Sequence, residues 1–201
     1  ADAVRGVLRQ AEDYGKSKTL VHKKVMVEYT DPNPFKEFHI GHLMSNAIGE
    51  SVARVFEFHG AEVKRACWQG DVGLHVAKAL WALATTNHQL LTTNNRKEQI
   101  KELGRAYAAG AEKYETDETA KKEINELNKK IFDRSDKEIN ALYDVGRKVS
   151  LQHFEEIYKV LGTKFDYYFF EGTEGKEGVP IVEEYLKKGV FEKSDGAVVF
   201  K

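Results

Sequence analysis

Apolar and polar residues along the first 84 positions follow a pattern that predicts a strand–helix–strand unit preceded by one amphipathic helix. Apolar residues recur at helical spacing in some stretches and gather in short runs in others. The predicted elements are, in order, a helix over 2–14, a buried strand over 25–29, a helix over 42–58, a strand over 62–68 and a helix over 76–84. Such a unit makes a right-handed crossover, so the two strands should be parallel.

The middle of the chain is predicted to be helical. Residues 85–94 are polar and predict a loop, whereas residues 95–161 are charged and favour helices throughout. The lysine-rich runs at 121–123 and 129–130 are typical of solvated helix surface.

The last forty residues are predicted to return to the sheet. The aromatic run at 165–170 predicts a strand, and the glycines at 172, 175 and 178 predict a mobile loop. Residues 181–188 predict a short helix, and Asp195-Gly196 between two apolar runs is typical of a hairpin turn.

Composition sets limits on the class of protein. The chain has 201 residues, of which 41% are hydrophobic and 31% charged, which is typical of a soluble globular protein. A net charge of -1 offers no bulk signal for nucleic-acid binding. Cys67 is the one cysteine, so no intrachain disulfide can form, and no run of about 18 apolar residues occurs. We therefore expect a cytoplasmic protein without a membrane segment.

Candidate chemistry lies directly after the first predicted strand. A proline-punctuated loop begins at Asp31 and ends where a helix opens at His39-Ile40-Gly41-His42. A helix N-terminus offers free N–H groups and a positive dipole end to phosphate, and a glycine allows close approach of the backbone. Two imidazoles add hydrogen-bond donors at the same place. The sequence therefore predicts a nucleotide site, although a short histidine motif can also be a structural cap.

Residues 25–73 resemble the signature region of the arginyl-tRNA synthetases, which are class I aminoacyl-tRNA synthetases. The resemblance rests on ordered matches, namely the Asp31-Pro32-Asn33 turn, Lys36, the His-x-Gly-His motif and the turn Gly70-Asp71-Val72-Gly73. It implies an α/β fold with a Rossmann-like parallel sheet, of which this chain holds the motif-containing half with a mainly helical insertion. The implied division is 1–84 for the nucleotide-binding half, 85–161 for the insertion and 162–201 for the return strand, short helix and hairpin.

The resemblance also implies an activity in translation, the ATP-dependent activation of L-arginine and its transfer to tRNA(Arg). Mg²⁺ enters as the counter-ion of ATP, and no metal site of the protein itself is expected. The implied catalytic residues are His39, His42 and Lys36. The implied ATP-binding residues are His39, Gly41, His42, Gly70 and Asp71. The implied substrate-binding residues are Glu28, Asp31, Asn33, His42, Cys67 and Glu171.

Several of these residues have structural alternatives. Asp31 and Asn33 could only cap their loop, and Asp71 could be an ordinary turn aspartate between two glycines. Glu28 could be an edge residue of its strand, and Lys36 and Glu171 could be exposed loop residues without a ligand.

The chain departs from the family pattern in ways that bear on activity. Pro34-Phe35, Met44 and Val72 replace commoner residues, and Cys67 stands where the family has a substrate-binding asparagine. A Lys-Met-Ser-Lys-Ser-type loop is missing, as are tRNA-binding domains, so the chain is expected to be a fragment. We expect a monomer that is inactive by itself.

Two other classes of function are compatible with the sequence. One is a small nucleotidyltransferase that uses the same histidine motif. The other is a non-catalytic module that recruits a partner through the helices of 95–161, which predicts an exposed apolar patch on those helices.

Overall fold

The computed structural model describes residues 1–85 and 95–200 and contains seven helices and five strands in these two ranges. The predicted loop at 85–94 lies outside the described residues except for Thr85, which ends a helix. The elements are, in order, α1 Asp2–Gln10, a 3₁₀ turn Ala11–Asp13, β1 Lys24–Glu28, α2 Ile40–Phe58, β2 Glu62–Gln69, α3 Leu74–Thr85, α4 Arg96–Thr116, α5 Glu118–Asp133, α6 Lys137–Leu161, β3 Tyr167–Phe170, α7 Glu171–Lys187, β4 Phe191–Ser194 and β5 Ala197–Phe200.

The central feature is a parallel three-stranded sheet in the order β1-β2-β3. Val25 pairs with Val63, and Ala66 pairs with Tyr167, so both neighbours of β2 run in its direction. The predicted parallel β1–α2–β2 crossover is therefore confirmed. The hairpin of β4 and β5 around Asp195-Gly196 is also confirmed, with antiparallel pairing.

The prediction that β1 is a buried strand was wrong. Its residues alternate between half-buried and exposed, and the Met26 side chain is 56% exposed. Within the described residues β1 pairs with β2 alone, so it is an edge strand, and its alternating burial shows that the side chains on one face are exposed. An apolar run cannot distinguish an edge strand from a central one, because both favour β-branched residues.

The predicted mobile loop at 172–178 was also wrong, because these residues form the first half of α7. The helix runs through three glycines and Pro180 and begins with Glu171 and Glu174 in its first turn. Acidic residues at that position favour the N-terminal dipole end. The predicted short helix at 181–188 is the second half of the same helix.

Two apolar cores hold these elements together. The first is helical and is formed by α3, α4, α5 and α6 around Leu80, Leu103 and Ile124. The second lies between the sheet and α6 and contains Cys67 and Phe154. Helix α6 contributes to both cores, so it joins the helical part of the molecule to the sheet. None of the described helices is both long and apolar enough to cross a membrane.

Candidate functional site

The loop between β1 and α2 is held in place by α6. Phe35 is fully buried with a φ of 67°, and its N–H donates to Oγ of Ser150 at 3.0 Å. A Cβ on Gly146 would lie 2.4 Å from Cε1 of Phe35, so only glycine there admits the ring. The packing of Phe35 on Gly146 and its hydrogen bond to Ser150 explain how a short loop with several residues of positive φ keeps one conformation.

The two histidines of the motif stack at the start of α2. Their ring centroids are 3.8 Å apart, and the ring planes are inclined by 23°. His39 is the N-cap, and its Nδ1 accepts from the N–H of Gly41 at 3.1 Å. The Nδ1 of His42 accepts from the N–H of His39 at 3.3 Å. These bonds assign the remaining proton of each ring to Nε2, so both rings are left with one donor for a ligand.

His42 is held in its neutral form. Burial lowers its pKa to about 4, and the nearby His39 and Lys36 act in the same direction. The neutral ring fits the observed hydrogen bond, because a protonated imidazole could not accept at Nδ1. At neutral pH, His42 is therefore a hydrogen-bond donor without a net charge.

Lys36 lies between this pair and helix α4. Its Nζ is 4.6 Å from the centroid of the Tyr107 ring. A cleft of about 610 Å³ opens here, and Lys36, His39, Lys101 and Arg105 are among the residues that line it. Three of these side chains are cations and Glu37 is the one anion among the lining residues, so the cleft has a net positive charge that suits a phosphate-bearing ligand.

Asp31 binds the next strand. Its Oδ1 accepts from the N–H of Trp68 at 2.7 Å. Burial raises the pKa of Asp31, and the carboxylate of Glu28 adds to that rise, whereas the Trp68 N–H opposes it. Glu28 is the exposed last residue of β1. The two carboxylates therefore lie close enough to interact, and a cation between them would relieve their repulsion.

Asn33, Gly70 and Glu171 come together at the carboxyl ends of the strands. A Cβ on Gly70 would lie 2.5 Å from Oδ1 of Asn33 and 3.2 Å from Oε2 of Glu171. The structure thus joins three predicted site residues that are far apart in sequence. In open parallel sheets, ligands bind at this edge.

The surroundings of Asp71 differ from those expected for its predicted ATP-binding role. It is 3% exposed, and it accepts from Nε of Arg147 at 2.8 Å, from the N–H of Gly172 at 2.9 Å and from the Tyr143 hydroxyl at 3.3 Å. Its carboxylate therefore ties α6 and α7 to the turn after β2. The contact with an ATP ribose stays a prediction, and the structural alternative has three hydrogen bonds in its favour.

Cys67 is buried in the second core. Burial raises the pKa of its thiol to about 11, and its Sγ lies 3.8 Å from the Tyr158 hydroxyl. The neighbouring Gln69 is 1% exposed; its Nε2 faces Cys67 Sγ at 3.7 Å, and its Oε1 has no partner among the described residues. A buried amide oxygen without a donor is costly, so Gln69 is a polar group available to a ligand or a water molecule.

Three polar residues near this edge were not predicted from the sequence. Arg147 reaches Asp71 from α6, Gln69 stands in β2, and His75 donates from Nε2 to the Gly70 carbonyl at 2.7 Å. Burial lowers the pKa of His75, so this ring too favours the neutral form. No local signal in the sequence distinguishes Gln69 from the other polar residues of β2, namely Glu62, Lys64 and Arg65, and none marks Arg147 or His75. Within the described residues, no group of three or more histidine, cysteine or acidic side chains is arranged to hold a metal ion.

The fold and this site define an α/β domain with a parallel sheet and a stacked histidine pair at a helix start. Residues 3–201 match the family described as tRNA synthetases class I (R), catalytic domain, and the chain belongs to that family. The predicted family and fold class are thereby confirmed.

Individual relatives agree with this assignment. The chain is 34% identical over 199 residues to the arginine–tRNA ligase of Clostridium botulinum (strain Langeland) and 30% identical over 198 residues to that of Borrelia garinii, and each match covers 98% of the chain. The Thermus thermophilus arginyl-tRNA synthetase structure is similar in fold, with a TM-score of 0.70 at 23% identity over 98% of this chain and 33% of that one. The chain spans about a third of the length of the curated relatives it matches, 34% in both cases.

Proposed function

We propose that the chain is part of an arginine–tRNA ligase, which activates L-arginine with ATP and transfers it to tRNA(Arg). The stacked pair of His39 and His42 at the start of α2 carries this proposal. It places two Nε2 donors beside a helix N-terminus at the carboxyl edge of a parallel sheet, where phosphate binding is favoured.

In the proposed first step, the arginine carboxylate attacks the α-phosphorus of ATP and pyrophosphate leaves. Negative charge develops on the phosphoryl oxygens, so the protein must supply donors and cations that are already in position. His39 and His42 supply neutral donors, Lys36 supplies a positive charge, and Gly41 lets the backbone approach the nucleotide. Mg²⁺ accompanies ATP as its counter-ion.

The substrate arginine is proposed to lie across the carboxyl ends of β1 and β2. Asp31, Glu28 and Glu171 provide carboxylates for its cationic groups, and Asn33 provides an amide. Because Gly70 has no Cβ, the side chains of Asn33 and Glu171 can approach its backbone closely. Cys67 is fully buried in the core, so we propose that its thiol makes no polar contact with the substrate arginine.

The remaining expectations are proposals of the same kind. They include a monomeric protein of the cytoplasm, division at residues 1–84, 85–161 and 162–201, and negligible aminoacylation by the 201-residue chain itself. The alternative of a partner-binding module receives little support. Within the described residues of α4, α5 and α6, the exposed large apolar side chains are Phe132 and Val160, which are too few for a docking patch.

Calorimetric titration of the chain with Mg²⁺–ATP, with and without arginine, tests the proposal. We expect ATP to bind, and the double variant His39→Ala/His42→Ala to lose at least about tenfold in affinity, because two charge-assisted contacts disappear. Arginine should tighten ATP binding, whereas lysine and glutamine should not. His22→Ala removes an exposed imidazole outside the site and is the matched control. Equal ATP affinity in the double variant would contradict the proposed site.

A further inference from the structure

Helix α4 reaches the nucleotide site through one aromatic side chain. Tyr107 is half-buried, packs against the helical core and presents its ring to Nζ of Lys36 at 4.6 Å from the ring centroid. Within the described residues, Lys36 is in no ion pair, so the ring is the group that holds its ammonium. A cation over the face of a tyrosine ring is attracted by the ring quadrupole.

Two close backbone contacts of α4, at Gly104 and Gly110, fix the position of Tyr107. A Cβ on Gly110 would lie 2.0 Å from the backbone oxygen of Lys78, so α4 packs directly against the backbone of α3. A Cβ on Gly104 would lie 2.8 Å from Oε1 of Glu37, so α4 also touches the loop before α2. Tyr107 is three residues from each glycine and therefore projects between these two contacts on the helix surface.

The positive charge of Lys36 acts on two histidines of the site. It is one of the groups that lower the pKa of His42, and it acts on His75 in the same direction. Lys101 and Arg105, also on α4, line the cleft that Lys36 shares with His39. Their ion pairs with Glu98 and Glu102 are exposed and contribute little, so both remain available to an anion.

We propose that Tyr107 is a positioning residue for Lys36, holding its ammonium group at the cleft beside His39 so that it faces a bound triphosphate. The inference rests on the proposed function, and it makes α4 a part of the nucleotide site. It predicts that Tyr107 acts through Lys36 and not through the stability of the helix.

The test is a double-mutant cycle in the 201-residue chain, with Mg²⁺–ATP and inorganic tripolyphosphate as titrants. We expect Tyr107→Leu to weaken binding by about three- to tenfold, and Tyr107→Phe, which keeps the ring face, to stay within about twofold. In a chain that already carries Lys36→Met, Tyr107→Leu should cause no further loss. A loss of the same size in both backgrounds would overturn the proposal.

Tyr114 provides a matched control on the same helix. Its ring also carries a lysine ammonium, that of Lys78 at 4.1 Å, but it does not line the cleft. Tyr114→Leu should therefore leave triphosphate binding unchanged. If Tyr107→Leu loses helix content by circular dichroism, Tyr107→Met replaces it in the cycle.

A second readout does not depend on ATP binding. The positive charge of Lys36 is one of the influences that lower the pKa of His42, so Lys36→Met should raise that pKa in an NMR titration. Tyr107→Leu should raise it as well, because the released ammonium moves into solvent, whereas Tyr107→Phe should not. An unchanged His42 titration in Tyr107→Leu would overturn the inference.

The two readouts separate the inference from the proposed function. If the wild-type chain binds ATP and only the double variant His39→Ala/His42→Ala weakens that binding, with the Tyr107 variants unchanged, the proposed function stands and the role of Tyr107 is contradicted. If the wild-type chain binds no ATP, the proposed function fails for this chain, and the His42 titration alone decides the role of Tyr107.

Discussion

His42 combines a binding role with a stability cost that depends on pH. Its Nδ1 is used by the N–H of His39, its ring stacks on His39, and it is 8% exposed. A group in such a place gains nothing from being charged, because burial removes the hydration of the imidazolium ion and Nδ1 has no acceptor for a second proton. The same contacts that orient the donor therefore oppose protonation.

We expect this opposition to appear as a loss of stability in acid. The pKa of His42 is about 4 in the folded chain and about 6.5 unfolded. The unfolded chain binds more protons between these values, so stability is complete above about pH 6.5 and falls towards pH 4 by on the order of 2 kcal/mol. Urea unfolding at pH 7 and pH 4.5 measures this fall.

The variant His42→Asn isolates the contribution, since its amide oxygen can accept from the His39 N–H but cannot titrate. The free energy of unfolding should fall less between the two pH values in the variant than in the wild type. Other groups, including His75 and His153, titrate equally in both chains and cancel in the difference. Equal falls in the two chains would show that His42 is not held neutral.

Prediction from sequence was strongest for residues whose roles are local. The motif at 39–42 marks a helix start by itself, and the cap, the stack and the hydrogen bond of the two histidines all lie within one turn. Arg147 and Tyr107 were not predicted, because their partners Asp71 and Lys36 lie about 70 residues away. Only packing brings such pairs together, and a single sequence carries no signal for it.

Helix α7 shows why a secondary-structure element can be predicted incorrectly from sequence. Glycine costs about 1 kcal/mol in a helix relative to alanine, so a segment with three glycines and a proline predicts a loop. The segment is nevertheless helical because its first turn is held by tertiary contacts. The N–H of Gly172 donates to Asp71, and a Cβ at this position would lie 2.9 Å from Cγ1 of Val72.

The glycines of α7 should therefore respond differently to alanine. Gly175 has nothing within 4 Å of its Cβ position, so Gly175→Ala should raise the free energy of unfolding by about 0.5–1 kcal/mol. Gly172→Ala should lower it by about 1–3 kcal/mol, because the new methyl group must displace Val72. Urea unfolding followed by circular dichroism measures both, and stabilisation by both substitutions would contradict the packing of α7 on the turn after β2.

The two cores of the molecule are joined by one helix. Val149 of α6 lies in the helical core, Phe154 and Tyr158 of the same helix lie in the core beneath the sheet, and Ser150 between them holds the loop at Phe35. A helix shared in this way cannot lose one set of contacts without weakening the other. The sheet and the helical part should consequently unfold together, even though the sequence suggested a separate insertion.

Two tryptophans allow this cooperativity to be measured. Trp68 lies in β2, and Trp81 lies in α3, where its indole N–H donates to Glu123. We expect the single-tryptophan variants Trp68→Phe and Trp81→Phe each to show one fluorescence transition in urea that coincides with their own circular dichroism transition. In either variant, Phe154→Ala should lower the free energy of unfolding by about 3–5 kcal/mol, because it empties a fully packed site under the sheet.

If the two cores are coupled, Phe154→Ala must also shift the unfolding transition of the helical part. Trp81 reports from α3, which packs in the other core, so a shift of its transition by Phe154→Ala can only be transmitted through α6 and the elements bound to it. Val160→Ala on the same helix changes a side chain that is 87% exposed and should move neither transition by more than about 0.5 kcal/mol. If Phe154→Ala moved the transition seen by Trp68 and left that of Trp81 in place, the helices would be an independent folding unit.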